Sequence, residues 1–501
     1  MSKKCLWMCS CLVVTSTCVL PGQQTEAMRP EEQAAGQKTQ KPQGKSMGRK
    51  MEGAEKGQQP MPPGHDMSKM GDQQGAQDHS QMNMQDHGKM DMKDMPNMPG
   101  MDDMMDMNSA EMFQMGQSTG TAMNPLSWPM PAIMTKLGSW HAMFMGQAFL
   151  VDTQQSGPRG YDKFYSANWF MGSFQHRAGS KGSFMTQVMI SLDPATITDR
   201  RYPVLFQTGE TAFDRKIVDG QHPHDFLMGL GFEYARLIGE ETTLQIYFAP
   251  VGDPALGSVA YPHRASATEI PQAALDHHMN DSTHIANEVI TVGVKHRQFK
   301  LEASGFYGAE PNENRWNIDS GPIDSWSTRL WYFPSRNWAA QVSVGRLHNP
   351  ERFEPGDVVR STASIHYSRP MSGASWSSSL IWGRNHSTRN QHNTNSYLAE
   401  SIVPVKRMNF VTGRFELLDR DELFSDQPEL EERIDRTYGS TFRIGAYTIG
   451  YTRDIELFRN VQGGIGANFS AYTVPDAIKP YYGDRPFGVN IYLRFRLRQS
   501  Q

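Results

Sequence analysis

The sequence predicts an all-β fold, a transmembrane antiparallel β-barrel of about 14–16 strands that follows a disordered N-terminal tail. From residue 139 onward, apolar and polar residues alternate with a period of two, as in strands whose two faces have different surroundings. Gly, Asn, Asp or Pro separate these runs at the spacing of hairpins. Beyond the first residues, no apolar run approaches the roughly twenty residues of a membrane-spanning helix.

The last run, Phe487 to Leu497, shows the alternation most clearly. Every second residue of this run is apolar, and the residues between are Gly488, Asn490, Tyr492, Arg494 and Arg496. One face of the strand is therefore apolar and the other is polar. A strand of about 9–11 residues with an apolar outer face is long enough to cross the hydrocarbon core of a membrane.

Fourteen further runs follow the same pattern. Because single-chain barrels of this kind have an even number of strands, fourteen or sixteen strands are expected. A soluble β-sandwich does not normally hold so many strands in one unit. The runs are Ser139–Val151, Phe164–Phe174, Ser183–Leu192, Phe226–Ile238, Thr243–Pro250, Asn287–Arg297, Phe299–Gly308, Asp324–Phe333, Trp338–Leu347, Val359–Tyr367, Ser375–Arg384, Met408–Leu418, Thr441–Thr452 and Gly463–Thr473.

Tryptophans near the predicted strand ends fit an aromatic girdle at a membrane surface. The alternative is ordinary packing in a core. These tryptophans are Trp316, Trp326, Trp331, Trp338, Trp376 and Trp382.

The N-terminus has the pattern of a secretory signal peptide, which we assign to residues 1–22. Lys3 and Lys4 precede an apolar stretch from Leu6 to Leu20, and all four cysteines lie in this leader. The mature chain is therefore expected to have no disulfides. Residues 23–60 are rich in Gln, Gly, Lys, Glu and Pro and predict a disordered linker. The net charge of −4, without a dense basic face, argues against a nucleic-acid partner.

Residues 61–127 predict a disordered, metal-binding tail, and the barrel is assigned to 128–501. From Met61 to Met115, fifteen of the 55 residues are methionine, with almost no Leu, Ile, Val or Phe beside them. A thioether suits Cu(I) or Ag(I), and imidazole beside carboxylate suits Cu(II). The alternative is a low-complexity linker whose methionines absorb oxidants. The candidate ligands are Met61, His65, Met67, Met70, His79, Met82, Met84, His87, Met90, Met92, Met95, Met98, Met101, Met104, Met105 and Met107.

Two early strands place methionine on the face opposite the apolar one, the face that lines the lumen if the apolar face meets lipid. We expect these side chains to offer Cu(I) weak exchangeable sites inside the barrel. Packing against a tail or plug is an equal alternative. The inward residues are predicted to be His141, Met143, Met145 and Gln147 in one strand and Ser183, Met185, Gln187, Met189 and Ser191 in another, and the orientation of Met171 stays open.

Two histidine-rich stretches lie between predicted strands. His222-Pro223-His224-Asp225 is followed by a loop of about thirty-five residues, 252–287, and loops of that length are often functional or fold inward. One interpretation is that His222, His224, Asp225 and some of the loop histidines converge on a divalent or Cu(II) site. The other is that hydrogen-bonded histidines pin a constriction loop to the barrel wall. The loop also carries Glu269, Asp276, Met279 and Asp281 beside His263, His277, His278 and His284.

The sequence does not favour an enzyme. A metal-dependent hydrolase on a (β/α)8 barrel needs a long helix after each strand, whereas this chain offers hairpin turns. A lipase needs a serine near a histidine base, and Ser377–Ser379 have no histidine beside them.

The organisation of the chain resembles the Met-rich copper-resistance outer-membrane proteins, with a leader, a tail of Met, His and Asp, and a C-terminal barrel. His65-Asp66-Met67 and the Asp-His steps at His79 and His87 carry the resemblance. It implies an outer-membrane location with the tail in the periplasm, copper held by the tail and exported or sequestered by the barrel, and lipid, metal ions and a periplasmic copper oxidase or efflux component as partners. The stretches GQHPHDFLMGLGFEYA and APVGDPALGSVAYPHR are unlike that family. A general porin or structural barrel whose tail has no metal role is the alternative.

Overall fold

The computed structural model of the protein describes residues 107–371 and 374–499, all within one compact unit, 82–501. The predicted leader, the linker and the ligands from Met61 to Met105 lie outside the described residues. Among the described residues, no helix is long and apolar enough to cross a membrane.

Nineteen strands and five short α-helices are present in the described part of the chain. The strands are β1 (Ile133–Leu137), β2 (Trp140–Gln155), β3 (Lys163–Ala178), β4 (Gly182–Ile190), β5 (Tyr202–Ala212), β6 (Arg215–Gln221), β7 (Leu227–Ile238), β8 (Thr242–Gly252), β9 (Ala286–His296), β10 (Phe299–Tyr307), β11 (Ser325–Ser335), β12 (Trp338–Leu347), β13 (Val358–Met371), β14 (Ala374–Ser387), β15 (Asn393–Lys406), β16 (Asn409–Arg420), β17 (Phe442–Phe458), β18 (Val461–Thr473) and β19 (Phe487–Leu497). The α-helices are α1 (Ser109–Met115), α2 (Asp193–Thr196), α3 (His277–Asn280), α4 (Pro428–Tyr438) and α5 (Lys479–Tyr482), with 3-10 turns at Thr198–Arg200, Ser282–His284 and Asp476–Ile478.

Sixteen strands form a closed antiparallel barrel, which confirms the predicted fold class. Strands β2–β4 and β7–β19 pair in sequence, and β19 closes the barrel against β2, with Leu493 opposite Leu150. The short strand β1 pairs with the first residues of β2, and β5 and β6 form a separate two-stranded sheet.

Each of the fifteen predicted runs overlaps a barrel strand, and the missed strand is β15. Its sequence lacks a clean period of two because both faces carry apolar residues. Leu398 and Ile402 point inward and are buried, whereas Tyr397, Val403 and Val405 are exposed on the outer face.

The outer surface of the barrel carries large exposed apolar side chains, whereas the inner face is polar. On β19, Ile491 and Leu493 are exposed while Asn490, Tyr492 and Arg494 are buried, as predicted. Other exposed outward residues are Leu244, Ile246, Phe248, Ile290, Val292, Val342, Ile365, Leu380, Ile449 and Ile465.

The predicted tryptophan girdle needs one correction. Trp326, Trp338 and Trp376 are exposed on the outside, but Trp331 is fully buried and its indole N–H donates to Glu302 Oε2 at 3.1 Å. Leu330 and Tyr332 on either side are also apolar, so the alternation of the sequence did not identify the face of Trp331.

The two ends of the barrel differ. At one end, which we call the short-turn end, hairpin turns of two or three residues join the strands, for example between β9 and β10 and between β7 and β8. At the other, the long-loop end, the connections include the β5–β6 sheet, the segment between β8 and β9, and α4. Strand β19 ends at the short-turn end, next to the start of β18.

The segment 253–285, which we call the plug, descends from the long-loop end and is almost entirely buried inside the barrel. Its contacts reach walls on several sides. Arg264 pairs with Glu400 of β15 at 2.6 Å, and the carboxylate of Glu269 pairs with Arg494 and Arg496 of β19. Further contacts are Ala255 N–H to Ser304 Oγ, Gly257 N–H to Ser343 Oγ, Asn490 Nδ2 to Gln272 Oε1 and Arg360 Nη2 to the carbonyl of His278.

Residues 107–131 fill the barrel from the short-turn end. Asn108 caps α1, because its Oδ1 accepts from the backbone N–H of Ala110 and Glu111 at 2.9 Å. Asn108 Nδ2 donates to the carbonyl of Gly182, the first residue of β4, and Lys300 Nζ donates to the carbonyl of Thr121 deeper inside. The ordered position of these residues inside the barrel differs from the disordered tail predicted over 61–127. Residues 107–127, including Met107, are mostly buried, because the polar groups of the segment find partners on the barrel wall.

Candidate metal centre

Two loop elements bring the predicted histidines together inside the barrel. His222 and His224 follow β6, and α3 with the next 3-10 turn supplies His277, His278 and His284. All five are buried. Their rings form a continuous group in which neighbouring centroids lie 5.1–5.8 Å apart, from His222 through His278, His277 and His284 to His224.

The plug can place its histidines beside β5 and β14 because glycines on these two strands face it. Gly209 on β5 has φ +109°, and a Cβ built there would lie 2.8 Å from Nδ1 of His278. Gly383 on β14 leaves room for the carbonyl oxygen of Met279, which a Cβ would approach to 2.5 Å. Both glycines therefore make space for α3.

Three of the histidines form the candidate metal centre. One ligand nitrogen each from His222, His277 and His278 can be chosen so that all three lie within 4.8 Å of one another. Three neutral imidazoles with an open position are a common ligand set for zinc and copper.

Oxygen acceptors hold the second ring nitrogen of two of these histidines. Nδ1–H of His222 donates to the carbonyl of Pro223 at 2.9 Å, and Nδ1–H of His277 donates to Asp281 Oδ1 at 2.6 Å. Each bond places the proton on Nδ1 and leaves the Nε2 lone pair free for a metal, as in most protein sites with histidine ligands. In the described part of the chain, neither ring nitrogen of His278 has a hydrogen-bond partner.

A carboxylate faces the centre at close range. Oε1 of Glu210 lies 2.7 Å from Nε2 of His222, without the geometry of a hydrogen bond. Because Nδ1 of His222 holds the proton, the unprotonated Nε2 lies next to a carboxylate oxygen, an arrangement that a cation bound to both atoms would stabilise. Glu210 is held in place by Arg315 and has φ +59°, a strained conformation of the kind found at functional sites.

Burial keeps the imidazoles of His222 and His278 neutral. Desolvation lowers the pKa of His222 to about 4 and the pKa of His278 to about 3. Burial acts to raise the pKa of Glu210, but the guanidinium of Arg315 acts against it, and this pKa lies below its ordinary value. Neutral imidazole beside a carboxylate anion is the protonation state that metal binding requires.

The remaining predicted ligands do not join this centre. Both ring nitrogens of His224 are engaged, Nδ1 by Asp193 Oδ2 at 2.9 Å and Nε2 by the Tyr261 hydroxyl at 3.2 Å. Asp225 pairs with Arg315 instead, and His141 lies apart on β2. His224 therefore fits the alternative of a histidine that pins loops together.

The predicted inward methionines do point inward. Met143, Met145, Met185 and Met189 are all buried, and Met171 joins them. Met145 on β2, Met171 on β3 and Met189 on β4 are directly opposite one another in register, and we call these three the methionine row. Met115, Met130, Met134 and Met228 pack against the same cluster.

Sequence reasoning missed Glu210 beside His222, Glu310, whose Oε1 lies 3.7 Å from Nδ1 of His278, and Met228, which packs with the methionine row. Only Met228 had a usable signal, because it lies beside the His222-Pro223-His224 stretch at the start of a predicted strand.

No protein-family model matches the chain, and no curated protein matches it. Solved structures with similar folds include a loop-deletion mutant of OmpT, an outer membrane protein of Vibrio cholerae (7% identity, TM-score 0.44). The anion-selective porin from Comamonas acidovorans (11%, 0.41) and Salmonella typhi OmpF in complex with daunomycin (9%, 0.43) are also similar. Each alignment covers 72% of this chain and 100% of the other. Similarities this low establish no function, and the barrel described above rests on its own strand pairing.

Proposed function

We propose that the chain is an outer-membrane barrel of porin-like architecture whose plug holds a copper ion. Exposed apolar side chains around a closed barrel support the membrane location, because lipid is the surrounding in which that surface is stable. In bacterial barrels the short turns face the periplasm, so we assign the short-turn end, where residue 107 and the end of β19 lie, to that side. The tail would then extend into the periplasm.

The plug argues against a wide, permanently open pore. It crosses the lumen with buried ion pairs to β15 and β19, and residues 107–131 close the barrel from the opposite end. Passage of an ion through this barrel therefore requires sites within the plug or a displacement of the plug. A binding and transport role fits this arrangement better than catalysis.

The observation that carries the metal proposal is the convergence of His222, His277 and His278 beside Glu210. Hydrogen bonds fix the rings of His222 and His277, and the unprotonated Nε2 of His222 beside the carboxylate of Glu210 favours a cation. Copper is preferred over zinc because the same lumen presents thioethers, which suit copper and not zinc. The physiological role we propose is the sequestration or export of copper in metal resistance. The tail would be a further copper store, and a periplasmic copper oxidase or efflux component would be the partner.

The alternative is a porin-like or structural barrel with no specific metal role. The hydrogen bonds of His224 favour it, because they show that at least one histidine of the group has a purely structural environment. The two proposals differ in whether the purified protein binds copper at the histidine centre.

The test is Cu(II) binding by the full-length protein in detergent, measured by equilibrium dialysis and electron paramagnetic resonance. His65, His79 and His87 are changed to Gln in every sample, so that tail imidazoles do not contribute. H222Q/H278Q is compared with H176Q/H296Q, two histidines away from the centre. We expect the first pair to lose one tightly bound Cu(II) with its nitrogen-coupled spectrum and the control to keep it. Equal binding by both would leave the porin-like alternative.

A further inference from the structure

A small cavity lies beside the histidine centre, between β3, β4, β7 and the plug. It has a volume of about 30 Å³, enough for a single ion or water molecule. Its lining includes three methionines, Met171, Met189 and Met228, and one histidine, His284.

The lining is unusual for methionines that only pack. Methionine normally fills gaps among apolar side chains and leaves little space. Val251 and Ile285 pack against these methionines, but the cavity beside them also borders Gln187 and Asp253 and is not filled. Thioethers on the polar inner face of a barrel, in contact with a cavity, are therefore placed as ligands would be.

His284 supplies an independent observation that points to a ligand. Its ring is buried, and Nδ1–H donates to the carbonyl of Asp281 at 2.7 Å. Nε2 therefore carries the lone pair, and it has no hydrogen-bond partner among residues 107–371 and 374–499. An unpartnered buried nitrogen costs free energy unless a cation or a donor meets it.

We propose that this cavity binds one soft monovalent ion, Cu(I) or Ag(I), through the thioethers of Met171, Met189 and Met228 and Nε2 of His284. The proposal deepens the proposed copper role by naming the oxidation state and a second site. Three neutral sulfurs and one imidazole form a soft ligand set that selects Cu(I) over Zn, Mg or Ca. No change of oxidation state is involved.

The cavity lies between the methionines near the short-turn end and the histidine centre. Met134 of β1 lies opposite Met143 of β2 near the short-turn end, and the methionine row follows deeper inside. At the far side of the cavity, the ring of His284 lies 5.3 Å from the ring of His277. Soft ligands thus extend from the end where residue 107 lies to the histidine centre, and exchangeable serial sites of this kind let an ion both enter and leave.

The test uses Ag(I), which is redox-inert, and the full-length protein in detergent with 13C-labelled methionine methyl groups. Ag(I) is added until the methyl signals of the tail stop shifting. We expect the methyl resonances of Met171, Met189 and Met228, assigned from the single leucine variants, to shift together and saturate with one ion. H284Q should lower the affinity for this Ag(I) ion at least about tenfold, as loss of one ligand does.

The matched control for M171L/M189L/M228L is M112L/M123L/M408L, which removes three methionines that neither line the cavity nor belong to the soft ligands that extend to the histidine centre. The cavity triple should lose one Ag(I) relative to wild type, and the control triple should not. If the three cavity methyls stay unshifted while Cu(II) still binds at His222, His277 and His278, the soft site is overturned and the proposed function stands. If both ions fail to bind, both proposals fall.

Discussion

Nδ1 of His277 lies 2.6 Å from Oδ1 of Asp281, four residues further along the plug, and Arg264 donates to Oδ2 of the same carboxylate at 2.9 Å. Asp281 thus fixes the tautomer of a proposed ligand and ties it to the residue that anchors the plug. Outer-shell carboxylates of this kind orient the ring and increase its basicity as a ligand.

D281N should lower the affinity of the centre for Cu(II) by about 10–100-fold, because the amide keeps the size of the side chain but not its charge. The measurement is a competition titration against a chelator of known affinity. D193N is the matched control, since Asp193 holds Nδ1 of His224, which is not a proposed ligand. An equal loss in both variants would show a general structural effect and would contradict the assignment.

Gly209 allows the ring of His278 to approach β5, so G209A should displace that ring. A Cβ would lie 2.8 Å from Nδ1, in addition to the strain of a side chain at φ +109°. We expect at least a tenfold loss of Cu(II) affinity. Gly179 is the control, because it has φ +73° in a turn but nothing within 4 Å of the added Cβ, so G179A reports backbone strain alone. Unchanged binding by G209A would place His278 outside the centre.

Arg264 anchors the plug, so R264M should loosen it. The guanidinium is buried and pairs with Glu400 and Asp281. Its loss leaves Glu400 with the charge of Arg414 alone and Asp281 with the N–H of His277 alone, at a cost of up to about 3–5 kcal/mol. In planar lipid bilayers we expect larger and more frequent conductance steps than for wild type. R346M, which breaks an exposed pair with Asp357, should conduct like wild type. If R264M behaved like its control, the plug would not be what closes the lumen.

His263 should make the plug sensitive to acid. Its ring is buried against Trp169, with centroids 4.0 Å apart, and burial lowers its pKa to about 3, with a smaller contribution from His224. The unfolded or released state, with a pKa of about 6.5, takes up a proton that the folded state does not, so stability falls as the pH drops from about 6.5 towards 3.

The variant H263Q should therefore lose less stability between pH 7 and pH 4 than wild type, by up to a few kcal/mol. Conductance and unfolding by urea, measured across this range, report the effect. H296Q, at the exposed end of β9, should follow wild type. A parallel decline of H263Q and wild type with acid would assign the pH dependence to other groups.

The sequence predicted the barrel well because lipid on one side and a polar lumen on the other impose a period of two on most strands. It failed where that contrast disappears, as in β15 with Leu398 and Ile402 facing inward and at Trp331, which lies between two apolar neighbours. The sequence also assigned residues 107–127 to the disordered tail, whereas they are mostly buried in the barrel. Their polar composition is as compatible with a disordered tail as with a segment that pairs with a polar barrel wall.

The site was predictable in part. Clustered histidines predicted that His222 and His224 would meet some of His277, His278 and His284, and the structure brings His222, His277 and His278 together without His224. The inward positions of Met143, Met145, Met185 and Met189 followed from alternation. Partners far apart in the chain could not be foreseen. Glu210 meets His222 only because the β5–β6 sheet turns it inward, and no local pattern distinguishes His224, which is fully hydrogen-bonded, from His222, which is not.

The most direct test is anomalous diffraction at the copper edge from crystals of the full-length protein grown with Cu(II). We expect a peak bounded by the ring nitrogens of His222, His277 and His278, next to Glu210, in a lumen filled by residues 253–285. A map in which these three rings bound no peak, while copper occupies other positions of the protein, would contradict the account.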